Sequence, residues 1–242
     1  MPAILRLKFK LSEPISNPTP SEVHGIYLRL LPEEITSKIH DLKKKPFSLW
    51  ILSADSQSLE LRLGVLNDEL IPIIFYEYYT QEKDLYLRSA KVITIKPYGI
   101  KQEKAKTYEE LLNTKPLKNI CLEFLKPTSF RRYRWDYILP DPVLIFKNLL
   151  TRWNSFSKHQ LNIKNLEEEL AKKVGIKALE LHSTNHTVGS DITFRGFLGI
   201  VCYTTEDPEL AKTLSVLARF AEYAGVGQKT TMDMGMVKLH RM

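Results

Sequence analysis

Residues 3–11 alternate with a period of two: Ala3, Leu5, Leu7, Phe9 and Leu11 fall on one face, Arg6, Lys8 and Lys10 on the other. That is the period of a strand buried on one side. A Pro-rich stretch, PISNPTP, leads to Ser21, a residue suited to cap a helix. EVHGIYLRLL follows, in which Val23, Ile26, Tyr27 and Leu30 recur at helical spacing until Pro32. FSLWILSAD and LELRLGVLN read as strands, DELIPIIFYEYY as a helix weakened by Pro72, and LYLRSAKVITIKPYG as another alternating strand. The order over residues 1–98 is strand, helix, two strands, helix, strand.

Residues 99–117 carry Lys101, Lys104, Lys106 and Lys115 with few large apolar side chains outside TYEELL, and read as a linker. A second cycle then begins. NICLEFLKPTSF is a strand, PVLIFKNLLTRWNSF a helix, IKALELHSTNHTV and ITFRGFLGIVCY two strands, DPELAKTLSVLARFAEYA a helix and MGMVKLHRM a short strand, with NLEEELAKK inserted as an additional helix. Each cycle has the order of a ferredoxin-like split βαβ unit. The expected fold class is α+β, two tandem ferredoxin-like, RRM-like domains over residues 1–114 and 115–242. The repeat is one of architecture, since no fixed-period identity links the halves.

Composition narrows the class of partner. Of 242 residues, 43% are hydrophobic and 26% charged, which suits a folded globular chain. Lys and Arg exceed Asp and Glu by 35 to 28, a formal charge of +7, and a polyanion such as nucleic acid is the leading partner class. Cys121 and Cys202 lie in apolar strand-like runs and read as small buried hydrophobes rather than a disulfide or a metal pair. MPAILRLKFKLSE alternates apolar and basic residues instead of forming a secretory signal, and no run approaches the ~18 apolar residues of a membrane span. A cytoplasmic location with no membrane partner is expected.

AGVGQKTTMDMGMV, residues 224–237, is the stretch richest in possible chemistry. Gly225, Gly227 and Gly235 bracket Lys229, Thr230 and Thr231, so backbone amides, a charge and hydroxyls could all approach phosphate. These glycines follow a helix and precede a strand, the reverse of a dinucleotide fingerprint, and no glycine directly precedes Lys229 as a Walker A loop requires. From the residues alone, an anion-binding loop and a tight connection both remain open. A second stretch, KPTSFRRYRW, places Lys126, Arg131, Arg132 and Arg134 among Phe130, Tyr133 and Trp135 without an acid. Basic side chains there can neutralise phosphates, and the aromatics are assigned to packing. Neither a metal-ligand cluster nor a Gly-x-Ser-x-Gly elbow is present in the sequence, which disfavours metal-dependent and acyl-transfer chemistry; no cofactor is expected.

The glycine-rich stretch near the C terminus resembles the defining loop of the repeat-associated RAMP proteins, in the version found in CRISPR-repeat endoribonucleases. FLKPTSFRR, LPDPVLIFKNLLTRWN and FRGFLGIVCY, which contains Arg195, agree in order and spacing, so that the resemblance covers most of residues 122–237. The first half is similar mainly in element order and in a histidine on its first helix. One departure is Asp233, where the family usually has glycine; it would put an acid beside the RNA path.

The resemblance implies an endoribonuclease that cuts precursor CRISPR RNA within its repeats and needs no metal. It would yield a 5′-hydroxyl and a 2′,3′-cyclic phosphate. His24 resembles the family's catalytic histidine, in a cleft facing the glycine-rich loop. Histidine suits either proton-transfer role near neutral pH. Tyr27 lies one turn along the same helix and Lys229 could steady transition-state charge; these three are the catalytic candidates, with His240 as a rival. RNA contacts are expected from Lys126, Arg131, Arg132, Arg134, Arg195, Gly225, Gly227, Lys229, Thr230, Thr231 and Gly235. The partners implied are repeat RNA and a CRISPR interference complex. The alternatives are a non-catalytic RNA-binding RAMP subunit and, more distantly, an enzyme acting on a small nucleotide through the glycine loop.

Overall fold

The computed structural model describes residues 1–12, 18–55, 57–80, 85–87 and 93–240. Most of the PISNPTP stretch and the middle of LYLRSAKVITIKPYG lie outside them. The chain forms two compact units. The first holds Met1–Ala105 with Thr187–Thr193 and Thr231–Asp233; the second holds Lys106–His186, Phe194–Thr230 and Met234–Met242. Among the described residues, no helix is long and apolar enough to cross a membrane.

In the first unit the order is β1 (Ala3–Leu11), α1 (Pro20–Leu30), α2 (Glu33–Asp41), β2 (Phe47–Ala54), β3 (Ser58–Val65), α3 (Leu70–Thr80), β4 (Leu85–Leu87) and β5 (Ile93–Ala105). The sheet runs β2-β3-β1-β5-β4 with antiparallel neighbours, the ferredoxin-like order with β4 added at one edge. Leu5, Leu7 and Phe9 of β1 pack with Val23, Ile26, Tyr27 and Leu30 of α1 and with Ile74 and Tyr78 of α3. Each such side chain contributes roughly 1.5–3 kcal/mol when fully buried.

The cap of α1 is Thr19 rather than Ser21. Its hydroxyl accepts from the Glu22 amide while the Glu22 carboxylate accepts from the Thr19 amide at 2.9 Å, a reciprocal capping box with Pro20 in the first turn. Pro72 does not break α3, because it is the third residue of the helix, where its missing N–H has no intrahelical partner to lose.

The expected linker is corrected. β5 continues to Ala105, pairing Arg6 with Lys101 and Ala3 with Ala105, and Tyr108–Leu112 forms a short helix, α4. Among the described residues β4 pairs with Ile93–Ile95 and the remainder of β5 lies at an edge, where lysines oppose unwanted pairing.

The second unit contains α4 and then β6 (Ile120–Thr128), β7 (Phe130–Arg132), β8 (Trp135–Tyr137), α5 (Pro142–Phe156), α6 (Leu166–Lys173), β9 (Gly175–Thr187), β10 (Thr193–Thr204), α7 (Pro208–Ala224) and β11 (Val237–His240). The order β11-β6-β10-β9 repeats the ferredoxin-like pattern, and β7 and β8 form a separate hairpin. The turn joining β9 to β10 belongs to the first unit, where the Ser21 amide donates to the Val188 carbonyl at 2.9 Å. Trp153 of α5 meets Tyr108 and Phe220 edge-on, with centroids 4.9 and 5.3 Å away, at the centre of this core.

The cysteines also differ from expectation. Both are buried, yet the antiparallel register of β6 and β10 sets Cys121 directly opposite Cys202, and a disulfide joins them. Their separation of 81 residues concealed a cross-strand pair that register alone creates.

β1 and β5 lose register between Lys8 and Phe9, and the Tyr78 hydroxyl fills the gap. It accepts from the amides of Tyr98 at 3.0 Å and Gly99 at 2.8 Å, and lies within donating reach of the Lys8 and Gly99 carbonyls. Tyr78→Phe removes this one bridging group and leaves interrupted ladder groups without it. Unfolding in urea should show a loss of about 1–3 kcal/mol with an unchanged denaturant slope; an unchanged midpoint would mean that solvent satisfies the bulge equally well.

Candidate RNA-cleavage site

His24 occupies the second turn of α1, half-buried, and its ring stacks near Phe47 of β2 with centroids 5.8 Å apart. Its Nδ1 lies 3.1 Å from the carbonyl oxygen of Thr231. A carbonyl cannot donate, so Nδ1 carries the proton, and in the neutral imidazole Nε2 then holds the lone pair. Thr231–Asp233 belongs to the same unit as α1, which brings this part of the glycine-rich stretch to the histidine.

Tyr27 has a different position from the one a proton-transfer role requires. It is 1% exposed, its ring lies 4.5 Å from that of Phe47, and its hydroxyl is buried without a hydrogen-bond partner among the described residues. Burial raises its pKa far above the ordinary tyrosine value. It packs α1 against β2 instead of presenting a hydroxyl to a ligand.

Asp233 is likewise corrected: it does not project as an acid into an open path. It is 8% exposed, with Oδ1 accepting from the Ile51 amide at 2.8 Å and its own amide donating to the Leu49 carbonyl at 3.1 Å.

In the second unit the loop after α7 turns through positive φ at Gly225 (68°), Gly227 (87°), Lys229 (54°) and Gly235 (70°). The Gly227 amide donates to Asn148 Oδ1 at 3.1 Å, and the Gln228 amide to the Ser129 carbonyl at 2.9 Å. A Cβ at Gly227 would collide with the Ser129 carbonyl, and one at Gly235 with the Val226 carbonyl. Lys229 is exposed, its ammonium 5.6 Å from the centre of the Phe194 ring. Thr230 is buried and its hydroxyl accepts from Arg152 at 2.8 Å, which gives that side chain a structural task inside the loop. Arg152 also donates to the Ala224 carbonyl, and burial lowers its pKa to about 10.

Asp136 gathers several candidates of this unit. Its carboxylate accepts from Gln228 Nε2 at 2.9 Å and from the Arg195 amide at 3.0 Å, and pairs with Arg131 at 3.6 Å. Lys126 lies at the end of β6, where its amide and that of Leu125 approach the Met236 carbonyl. Arg132 and Arg134 are exposed and flank Tyr137 and Trp135 with cation-to-ring distances of 5.3 and 5.0 Å. Phe130 is buried, as packing requires, but Tyr133 and Trp135 are 90% and 67% exposed, so two of the three aromatics assigned to packing present their faces to solvent. His240 pairs with Glu123 at 3.7 Å, within the second unit.

Gln228, Asp136, Asn148 and Arg152 hold the glycine-rich loop and the basic hairpin of the second unit in place, and sequence reasoning missed them. Asn148 and Arg152 left a signal: they stand four positions apart on one face of α5, next to the apolar residues that pack it.

Each unit has the ferredoxin-like strand order, with the glycine-rich loop before the last strand of the second, and a solved RAMP protein shares this fold at 18% identity with a TM-score of 0.61. Residues 122–237 match the family model for the CRISPR-associated endoribonuclease Cas6. The CRISPR-associated endoribonuclease Cas6 of Mycobacterium tuberculosis is 23% identical over 221 residues, 90% of this chain and 70% of that protein. A Thermus thermophilus Cas6 solved as a product complex has a TM-score of 0.85 at 24% identity, covering 98% of this chain and 99% of its own. A second Cas6 product complex has a TM-score of 0.81 at 26% identity, covering 98% and 100%. Over residues 122–237 the chain is thus similar to the CRISPR-associated endoribonucleases, and over nearly its whole length it shares their fold.

The loop's dependence on missing side chains is testable. Gly235→Ala should lower the unfolding free energy by at least about 1–3 kcal/mol, since it adds both a left-handed strain and a backbone collision. Gly99→Ala, where a Cβ meets nothing within 4 Å, should stay within about 0.5 kcal/mol of wild type. Equal effects in thermal denaturation would remove the steric account.

Proposed function

We propose that this chain cuts precursor CRISPR RNA within its repeats by attack of a 2′-hydroxyl on the adjacent phosphate, without a metal ion, at a cytoplasmic site. The observation that carries the reading is the hydrogen bond from His24 Nδ1 to the Thr231 carbonyl, which leaves Nε2 as the basic nitrogen. In this reaction Nε2 takes the 2′-hydroxyl proton, the 2′-oxygen bonds to phosphorus, and the bond from phosphorus to the 5′-oxygen breaks. The leaving oxygen takes a proton from water. The products are a 2′,3′-cyclic phosphate and a 5′-hydroxyl. Lys229, Arg131, Arg132, Arg134 and Arg195 serve as cations for the phosphate backbone, while Tyr133 and Trp135 offer faces for unpaired bases. The names of the family relatives and the product complexes of similar chains support the same reaction class.

His24→Ala should slow single-turnover cleavage of repeat RNA by about 10²–10⁴-fold, the usual contribution of positioned proton transfer, with affinity nearly unchanged. Wild type should keep full activity in excess chelator, and a 2′-deoxy nucleotide just upstream of the cut should block it. A folded His24→Ala variant cutting at the wild-type rate would defeat the assignment, and activity restored only by magnesium would defeat the metal-free route.

The exposed hairpin arginines also support a second reading, an RNA-binding subunit that does not cut. Both readings require Arg131 and Arg132 to meet phosphate. Replacing both with Ala should weaken binding and make the logarithmic salt dependence shallower by about 0.7 per lost contact. An unchanged slope would return the hairpin to a solvated surface feature, and absence of any cleavage by wild type would favour the non-catalytic reading.

A further inference from the structure

Asp233 holds a backbone conformation, φ of 62°, that glycine adopts freely and that aspartate tolerates better than most residues. Retaining a carboxylate there, 8% exposed, requires compensation from hydrogen bonds. The compensation comes from β2. This strand is at the end of the first sheet and pairs on one side with β3, so alternate residues turn their amides and carbonyls to its other edge. Asp233 meets that edge at two points, its amide on the Leu49 carbonyl and its Oδ1 on the Ile51 amide, at 3.1 and 2.8 Å. It acts as a one-residue strand partner in which a side-chain oxygen replaces the backbone acceptor. Glycine could supply only the first of these bonds.

The same strand supports the histidine. Phe47, Leu49 and Ile51 are alternate residues of β2; Phe47 stacks beside His24, and the other two hold Asp233. Thr231, whose carbonyl takes the Nδ1 proton, lies two residues before Asp233. One strand thereby controls both the ring contact of His24 and, through Asp233, its hydrogen-bond acceptor.

We propose that Asp233 is a positioning residue for cleavage: its attachment to the β2 edge holds the Thr231 carbonyl against His24 and keeps the imidazole in the tautomer protonated at Nδ1 and not at Nε2. The proposal rests on the reading of His24 as the base, and its test includes a measurement that needs no cleavage.

The experiment uses the full chain, a labelled CRISPR repeat RNA that the wild-type chain cuts, and three variants. Asp233→Asn keeps an acceptor oxygen and tolerates positive φ; Asp233→Gly removes the acceptor and relieves the strain; Asp233→Ala removes the acceptor and keeps the strain. Single-turnover rate, affinity and the His24 tautomer, read from long-range proton–nitrogen NMR couplings, are measured on each. Asp233→Gly should cut about 10–10²-fold more slowly, as expected for a misplaced catalytic group, with affinity little changed and His24 shifted to a mixture of tautomers. Asp233→Ala should match it, and Asp233→Asn should stay close to wild type in rate and tautomer.

The proposal is overturned if Asp233→Gly keeps the wild-type rate and tautomer, if its rate falls while the tautomer is unchanged, or if Asp233→Asn loses as much as Asp233→Gly. Should Asp233→Ala fail to fold, Asp233→Gly and Asp233→Asn still decide the matter. If His24→Ala cuts normally, the base assignment fails by itself, and the tautomers of the Asp233 variants still report whether the attachment governs the imidazole.

Discussion

The Val226 amide donates to the Gly235 carbonyl at 2.9 Å, and the Gly235 amide donates to the Pro127 carbonyl at 3.0 Å. These backbone bonds close the neck of the loop between α7 and β11, and the path of the loop depends on that closure. The chain can pass so near itself only because Gly235 has no Cβ and accepts a positive φ. Within the closed loop, Lys229 stays exposed, Thr230 turns inward to Arg152, and Thr231 offers its carbonyl to His24. Successive residues thus have separate tasks, set by which way each peptide faces.

Buried and half-buried polar groups stiffen the second unit. Arg152 is buried in the second unit, where the Ala224 carbonyl and the Thr230 hydroxyl compensate the loss of water. Its lowered pKa, about 10, still leaves it charged near neutral pH. Asp136 takes hydrogen bonds from Gln228 of the loop and from the Arg195 amide, so one carboxylate ties the base of the basic hairpin to the loop and to β10. An acid within a basic surface looks unfavourable for RNA binding when counted as charge. Here it organises the donors around it.

Elements with a clear period were legible. β1 alternates because one face meets a core, and α5 and α7 show apolar residues at helical spacing because each lies on a sheet. The end of β5 was not legible: Lys101 to Lys104 are all exposed, so no face is marked by hydrophobic residues. The disulfide escaped for another reason, since strand register and not sequence spacing sets Cys121 opposite Cys202. Tyr27 lies one turn from His24 on the same helix, near enough to share a site, but its hydroxyl is buried in a core formed by residues from distant segments.

By itself the sequence determined the two ferredoxin-like cycles, the basic hairpin, the glycine-rich loop and the histidine on the first helix, because each is written in local period, charge or backbone freedom. Only the tertiary structure decided which nitrogen of His24 faces the Thr231 carbonyl, that Asp233 turns inward to β2, and that Tyr133 and Trp135 stand exposed while Phe130 is buried. The physical reason is range. Periodicity records which face of an element meets a core, whereas a tautomer, a buried carboxylate or an edge-strand contact depends on groups as far apart in the chain as His24 and Thr231, whose meeting no local pattern encodes.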